Sequence, residues 1–211
     1  MKTVKKYLPH FVVFVSSMGI MIIELVASRI IAKYFGDSLY TWTGIIGVVL
    51  GGITLGNYLG GRIADRFDVR RAARSLLLTG SALVLLILAL DVGIGAAMNS
   101  IALPDHRLFL VAAAVLVISL MFFLPATALG TISPIMAKYA LEESDQIGAT
   151  VGSIYASGSA GSIIGTFLSG FLLVPLLGIR TVVITVAALV ALLTLLIRGR
   201  RKPLAAILAG M

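Results

Sequence analysis

Glu24 and Arg29 stand in an apolar run from about Phe11 to Tyr34, and they are the residues of this sequence best placed to do chemistry inside a membrane. An ionisable group at the bilayer centre costs about 2.5 to 3.5 kcal/mol for Asp, Arg or Lys, so it normally faces a partner or an aqueous cavity. On one helix the two residues differ by about 140° and by about 7.5 Å along the axis, which disfavours a direct pair. Each is therefore expected to find its partner on another helix. Glu24 admits two readings: a carboxylate that meets a cation or a proton in a transport cavity, or a structural hydrogen-bonding group. Arg29 has a side chain long enough to snorkel toward the outer surface. Asn57, Tyr58 and Tyr155 either line the same interior with polar groups or hydrogen-bond between helices.

Other chemistry is poorly provided for. The apolar spans hold no paired carboxylates, no Ser/His set and no metal cluster, so no catalytic residue, cofactor or metal ligand is assigned and an enzyme is not expected. Cysteine is absent, which removes thiolate metal sites and cysteine nucleophiles. His10 and His106, the only histidines, read as interfacial residues because no second ligand group accompanies them. The formal charge of +8 would need a water-exposed basic face to serve nucleic acid, and the loops are too short to build one.

Of the 211 residues, 59% are hydrophobic and 12% charged, with a mean hydropathy of +1.09. Soluble domains carry about a quarter of their residues as charges. The composition therefore predicts an all-α integral membrane protein, and 1–211 reads as a single transmembrane domain. A span needs about 20 apolar residues. Six are expected: about Phe11 to Tyr34, Tyr40 to Gly61, Ser75 to Met98, a fourth from Leu108 interrupted by Pro125 and Pro134, much of Ile147 to Leu177, and Thr181 to Ile197. Breaks fall at Pro104, Asp105 and His106, at Glu142, Glu143 and Asp145, and at Pro175 with Gly178. The first run follows Lys2, Lys5 and Lys6 but spans a full bilayer without a convincing cleavage site, so it reads as a retained helix and not a signal peptide. With the amino terminus inside, 13 of the 17 Lys and Arg fall on the cytoplasmic side, which predicts both termini in the cytoplasm and a multi-pass protein of the cell (inner) membrane. The apolar tail Leu204 to Met211 is too short to span. Trp42, Tyr34 and Tyr40 read as an aromatic belt.

Small residues recur every four positions at Gly52, Gly56 and Gly60 in the second span and at Ser153, Ser157, Gly161, Gly165 and Ser169 in the fifth. That spacing lets helix backbones approach closely. Second and fifth are equivalent places in a candidate 3+3 inverted repeat, an arrangement found in many transporters. Plain helix packing explains the same ridges without a repeat.

The stretches Glu24-Leu-Val-Ala-Ser-Arg29, Lys33-Tyr-Phe-Gly36, Ser38-Leu-Tyr40 and Gly56-Asn-Tyr-Leu-Gly-Gly-Arg-Ile-Ala-Asp-Arg66 resemble the transmembrane region of the spermidine synthase-like membrane proteins. So do Pro125-Ala-Thr-Ala-Leu-Gly130 through Ser133-Pro134, Gly152-Ser-Ile-Tyr155, and Gly161-Ser-Ile-Ile-Gly165 through Gly170-Phe-Leu-Leu-Val-Pro175 with Gly178. In that family a soluble aminopropyltransferase-like domain typically follows the helices. Here nine residues follow Lys202, so the resemblance implies that any synthase activity comes from a separate polypeptide. The segment from Gly61 through Asp65, Arg66, Asp68, Arg70 and Arg71 is also similar to the loop between the second and third helices of major facilitator superfamily transporters. That likeness implies a gating latch, although Asp68 replaces the usual second glycine. A topology determinant is the plainer reading of the same charges.

Two functions are expected to compete. One is a half-size, half major-facilitator-like unit that dimerises and moves a small solute, with a polyamine-like cation as the candidate. The other is a non-transporting anchor or subunit for a separate synthase-like protein or a larger membrane complex.

Overall fold

The computed structural model describes residues 2–100, 107–142 and 144–197. The loop expected at Pro104 to His106, Glu143 and the tail beyond Ile197 lie outside them. Among the described residues the chain is helical throughout, with no strand: α1 (Lys2–Phe35), α2 (Leu39–Arg66), α3 (Val69–Ser100), α4 (Arg107–Ile118), α5 (Leu124–Gly130), α6 (Ile132–Leu141), α7 (Ile147–Leu168) and α8 (Val174–Leu196). Two π-helical turns, Ser119–Phe123 and Ser169–Leu173, join α4 to α5 and α7 to α8.

Five stretches are long and apolar enough to cross a membrane: Tyr7–Phe35, Leu39–Arg66, Val69–Ser100, Leu108–Leu141 and Ile147–Leu196. The last holds the expected fifth and sixth spans, and its helix is broken at Gly178 (φ 74°, ψ 162°). This conformation suits glycine, which has no Cβ to clash.

Local chemistry sets the element ends. Gly36, at φ 76°, stops α1, and the Ser38 hydroxyl caps α2 by accepting from the Thr41 N–H at 3.2 Å. Asp68 caps α3 in the same way, its Oδ1 accepting from the Arg71 N–H at 2.9 Å. Thus the residue that departs from the major-facilitator pattern has a capping role here. Each π turn ends two residues before a proline, Pro125 or Pro175. A proline cannot donate to the helical ladder and crowds the carbonyl four residues earlier; a widened turn relieves both. The fourth span therefore passes Pro125 as continuous helix, whereas ahead of Pro134 the helix is interrupted by a single turn residue, Thr131, between α5 and α6, with Pro134 in the first turn of α6.

The bundle is organised around α1, where 56% of the apolar window is buried, against 28–33% in the other four stretches. Val12, Val13, Val26, Ala27, Ile30 and Ile31 of α1 are fully buried. α7, α8 and α6 pack on α1, α5 and α6 on α2, and α8 on α3. Large side chains such as Leu108, Phe171, Leu176 and Leu195 stand exposed on the outer surface, as lipid contact requires.

Candidate functional site

The site begins with two close helix contacts. A Cβ at Gly56 would strike the carbonyl oxygen of Thr127, and one at Gly52 would lie 2.8 Å from both the Phe123 carbonyl oxygen and the Ala126 methyl. Gly60 stands equally tight on Thr131. On the other side of the bundle, a Cβ at Gly161 would strike the Phe14 carbonyl oxygen, and one at Gly165 would lie 2.5 Å from that of Met18. Gly158, which falls outside the four-residue spacing, continues this second ridge against Val13 and Ser17. Ser153 instead bonds His10, Oγ to Nε2 at 3.0 Å.

Between the two contacts, α1, α2, α5, α6 and α7 leave an open-sided cleft of about 420 Å³. Ser17, Asn57, Ser133, Tyr155, Ser159 and Ser162 supply its polar lining; Ile20, Met21, Ile53 and Ile163 supply apolar wall. Hydroxyls, an amide and a phenol can donate and accept hydrogen bonds, and among the described residues no charged side chain lines the cleft. Asn57 and Tyr155 thus come together. Tyr58 does not join them: it is exposed on the next face of α2, with the Arg62 guanidinium 4.5 Å from its ring centre.

Glu24 is half-buried and lines a separate, much smaller pocket of about 10 Å³, room for no more than one water. Its neighbours there, including Val49, Val84, Phe122, Pro125 and Leu129, are all apolar, and among the described residues it has no hydrogen-bond partner. Ile20 lies in the wall of both spaces, so the carboxyl sits one helical turn from the polar cleft. Arg29 lies apart from both, exposed toward the end of α1.

In the charged connection between α2 and α3, Asp65 pairs with Lys138 of α6 at 2.8 Å, and the Arg70 guanidinium sits 5.0 Å from the Tyr139 ring centre. Arg66 and Arg71 are exposed. These contacts tie the ends of α2 and α3 to α6, which is the geometry a latch needs and equally that of a static clamp.

Sequence reasoning misses Asp91. Both its oxygens accept from Lys33, at 2.8 and 2.9 Å, and the Tyr34 hydroxyl lies 2.8 Å from Oδ1, joining α1 to α3. The signal that could have found it was a lone acid and a lone base in different apolar segments, each in need of a partner. The carboxylate is largely buried, 14% exposed, while Lys33 is 47% exposed. Asp91→Leu is therefore expected to cost about 1–3 kcal/mol, because it leaves Lys33 without its acceptor, while the Tyr34 hydroxyl keeps the Asp91 backbone carbonyl at 2.9 Å. Adding Lys33→Leu should recover most of the loss. Melting temperatures of the two single variants and the double in detergent check this; strictly additive losses would count against the pair.

Compared with known protein families, curated proteins and solved structures, the chain matches none.

Proposed function

We propose that the chain is a half-size transporter unit of six crossings, whose polar cleft is completed in the membrane by a second copy. The observation that carries this reading is the cleft itself: a band of uncharged hydrogen-bonding groups, open to the side, between helices otherwise faced with apolar side chains. Lipid tails cannot satisfy those groups, so solute, water or another protein surface must.

The six-crossing count is supported by the length of Ile147–Leu196, 50 residues or about 75 Å of helix against about 30 Å of hydrocarbon, with a break at Gly178. A 3+3 repeat is supported by the pairing of the ridges. The second span packs its glycines on the fourth and the fifth packs its glycines on the first, so exchanging the halves carries one contact onto the other. Even crossings put both termini on one side, which the Lys/Arg distribution makes the cytoplasmic face of the inner membrane. Glu24 is the group through which a cation or a proton would be coupled.

The second reading is an anchor for a separate synthase-like protein. It is favoured by the exposed Arg62, Arg66, Arg71 and Arg74 at one end of the bundle, a basic surface for an acidic partner.

Because the chain has no cysteine, Tyr155→Cys gives a single thiol at the cleft rim. Oxidation in native membranes is expected to give a covalent dimer, and Ser159→Leu with Ser162→Leu should abolish spermidine or glycerol uptake into proteoliposomes while the protein still folds. A monomer that shows neither cross-link nor uptake, yet retains a soluble synthase-like protein on affinity purification, would favour the anchor.

A further inference from the structure

A second opening lies outside the cleft. The carboxyl end of α1, the α1–α2 connection, the π turn Ser169–Leu173 and the broken start of α8 enclose about 650 Å³. Its polar lining includes Arg29, Lys33, Asp37 and Trp42, and its apolar lining includes Leu25 and Val174. The charges are differently committed. Lys33 is held by Asp91, and the Asp37 carboxylate accepts from the Trp42 ring N–H at 2.9 Å, with its other oxygen unengaged among the described residues. Arg29 has no ion pair among the described residues. Counting Asp91 behind Lys33, two cations face two anions. A simple anion has no net attraction to such a site, whereas a molecule carrying both signs can use both ends.

Arg29 and Asp37 are eight residues apart, six helical steps and two beyond the end of α1, at most about 16 Å along the axis, and a guanidinium takes a phosphate through paired N–H donors. The wall opposite carries little side chain: at Gly170 and Gly178 an added Cβ would meet nothing within 4 Å. Phe171 and Leu176, each 74% exposed, flank the opening with lipid-facing surface. A tryptophan among charged residues marks a bilayer interface, where headgroups lie. We propose that this opening is a lateral site for a phosphoethanolamine-bearing lipid, with the phosphate on Arg29, the ammonium at Asp37 and the acyl chains running out over Leu25 and Val174.

Trp42 is the only tryptophan of the chain, so its fluorescence reports on this site alone. The purified protein in detergent is titrated with dibrominated phosphatidylethanolamine, phosphatidylcholine and phosphatidylglycerol of matched chains, and separately with water-soluble phosphoethanolamine as competitor. The ethanolamine lipid should quench Trp42 at roughly fivefold lower mole fraction than the other two. Arg29→Gln should remove that preference by taking away the phosphate contact. Gly170→Leu should remove it by filling open space, and both variants should keep the parent melting temperature. Equal quenching by all three lipids, or a preference that survives both variants, would overturn the site. Stronger quenching by the glycerol lipid would overturn the paired-charge recognition, and displacement of the brominated lipid by millimolar phosphoethanolamine would overturn its assignment to lipid.

Discussion

Gly56→Leu and Gly161→Leu are each expected to abolish accumulation of folded protein in detergent. At both positions the space a side chain would need is filled by the backbone of the neighbouring helix. At Gly56 it is the Thr127 carbonyl, with the Gly130 Cα 3.0 Å from the added Cβ; at Gly161 it is the Phe14 carbonyl, with the Phe14 Cα also at 3.0 Å. A flexible side chain can turn away from an intruding methyl, but a helical carbonyl cannot move without its helix. Overpacking in a core usually costs about 1–3 kcal/mol, and a clash with backbone should exceed that range. Separating the helices would also undo the close backbone packing that holds a bundle together in lipid, where apolar burial contributes little. Gly47→Leu and Gly61→Leu provide the comparison, since at both an added Cβ meets nothing within 4 Å. Size-exclusion profiles and melting temperatures of the four variants decide the matter. If the first pair melts with the second, the ridges are not the tight contacts described.

The same two ridges show how far the fold is legible in the sequence. Residues that each favour one structure on their own can be read directly: apolar runs of bilayer length, glycines at four-residue spacing, the break at Pro175 with Gly178. What cannot be read depends on what lies opposite. Nothing in the local pattern says that Gly52, Gly56 and Gly60 meet Phe123, Ala126, Thr127 and Thr131, because a small residue is compatible with any close neighbour. Gly158 escapes a four-residue count because it stands three residues from Gly161, although positions three and four apart share a helix face equally well. The prolines of the fourth span read as interruptions because proline removes a ladder hydrogen bond. That a five-residue π turn would absorb the defect at Pro125, while a turn residue at Thr131 marks Pro134, is decided by packing.

The polar residues divide in the same way. Asn57 and Tyr155 share the cleft because they lie on helices held together by the glycine ridges, Tyr155 half-exposed at the rim, whereas Tyr58 lies one residue, about 100°, around the helix from Asn57 and outside the lining. The expected partner of Arg29 on another helix is absent among the described residues, and its place at the end of α1 accounts for that, since a long side chain there reaches the interface. Lys33, which the sequence presents only within a motif, forms the bidentate contact that joins α1 to α3. Pairing across the bundle depends on which helices adjoin, and one sequence does not encode that in any local pattern.

Glu24→Leu is expected to end transport while leaving the bundle as stable as the parent or more so. The carboxyl faces Val49, Val84, Phe122, Pro125, Ala126 and Leu129 with no hydrogen-bond partner among the described residues, so removing it strands no polar group. Ala should likewise cost only the cavity it leaves beside the existing void of about 10 Å³. Replacing a lone carboxyl in such surroundings by an apolar side chain of similar volume removes a desolvation cost without a compensating loss. Uptake should nevertheless fall about tenfold or more in Glu24→Leu and Glu24→Gln alike, since a hydrogen bond to a charged group is worth about 1.5–3 kcal/mol and neither variant can carry the charge or the exchangeable proton. The agreement of Gln with Leu is the discriminating result. A purely structural Glu24 would leave uptake intact in the folded Gln variant, and a hidden polar partner would make the Leu variant melt well below the parent. Paired measurements of melting temperature in detergent and solute uptake in proteoliposomes for the Gln, Leu and Ala variants separate the three cases. A Leu variant that melts below parent while transporting normally would remove Glu24 from the mechanism.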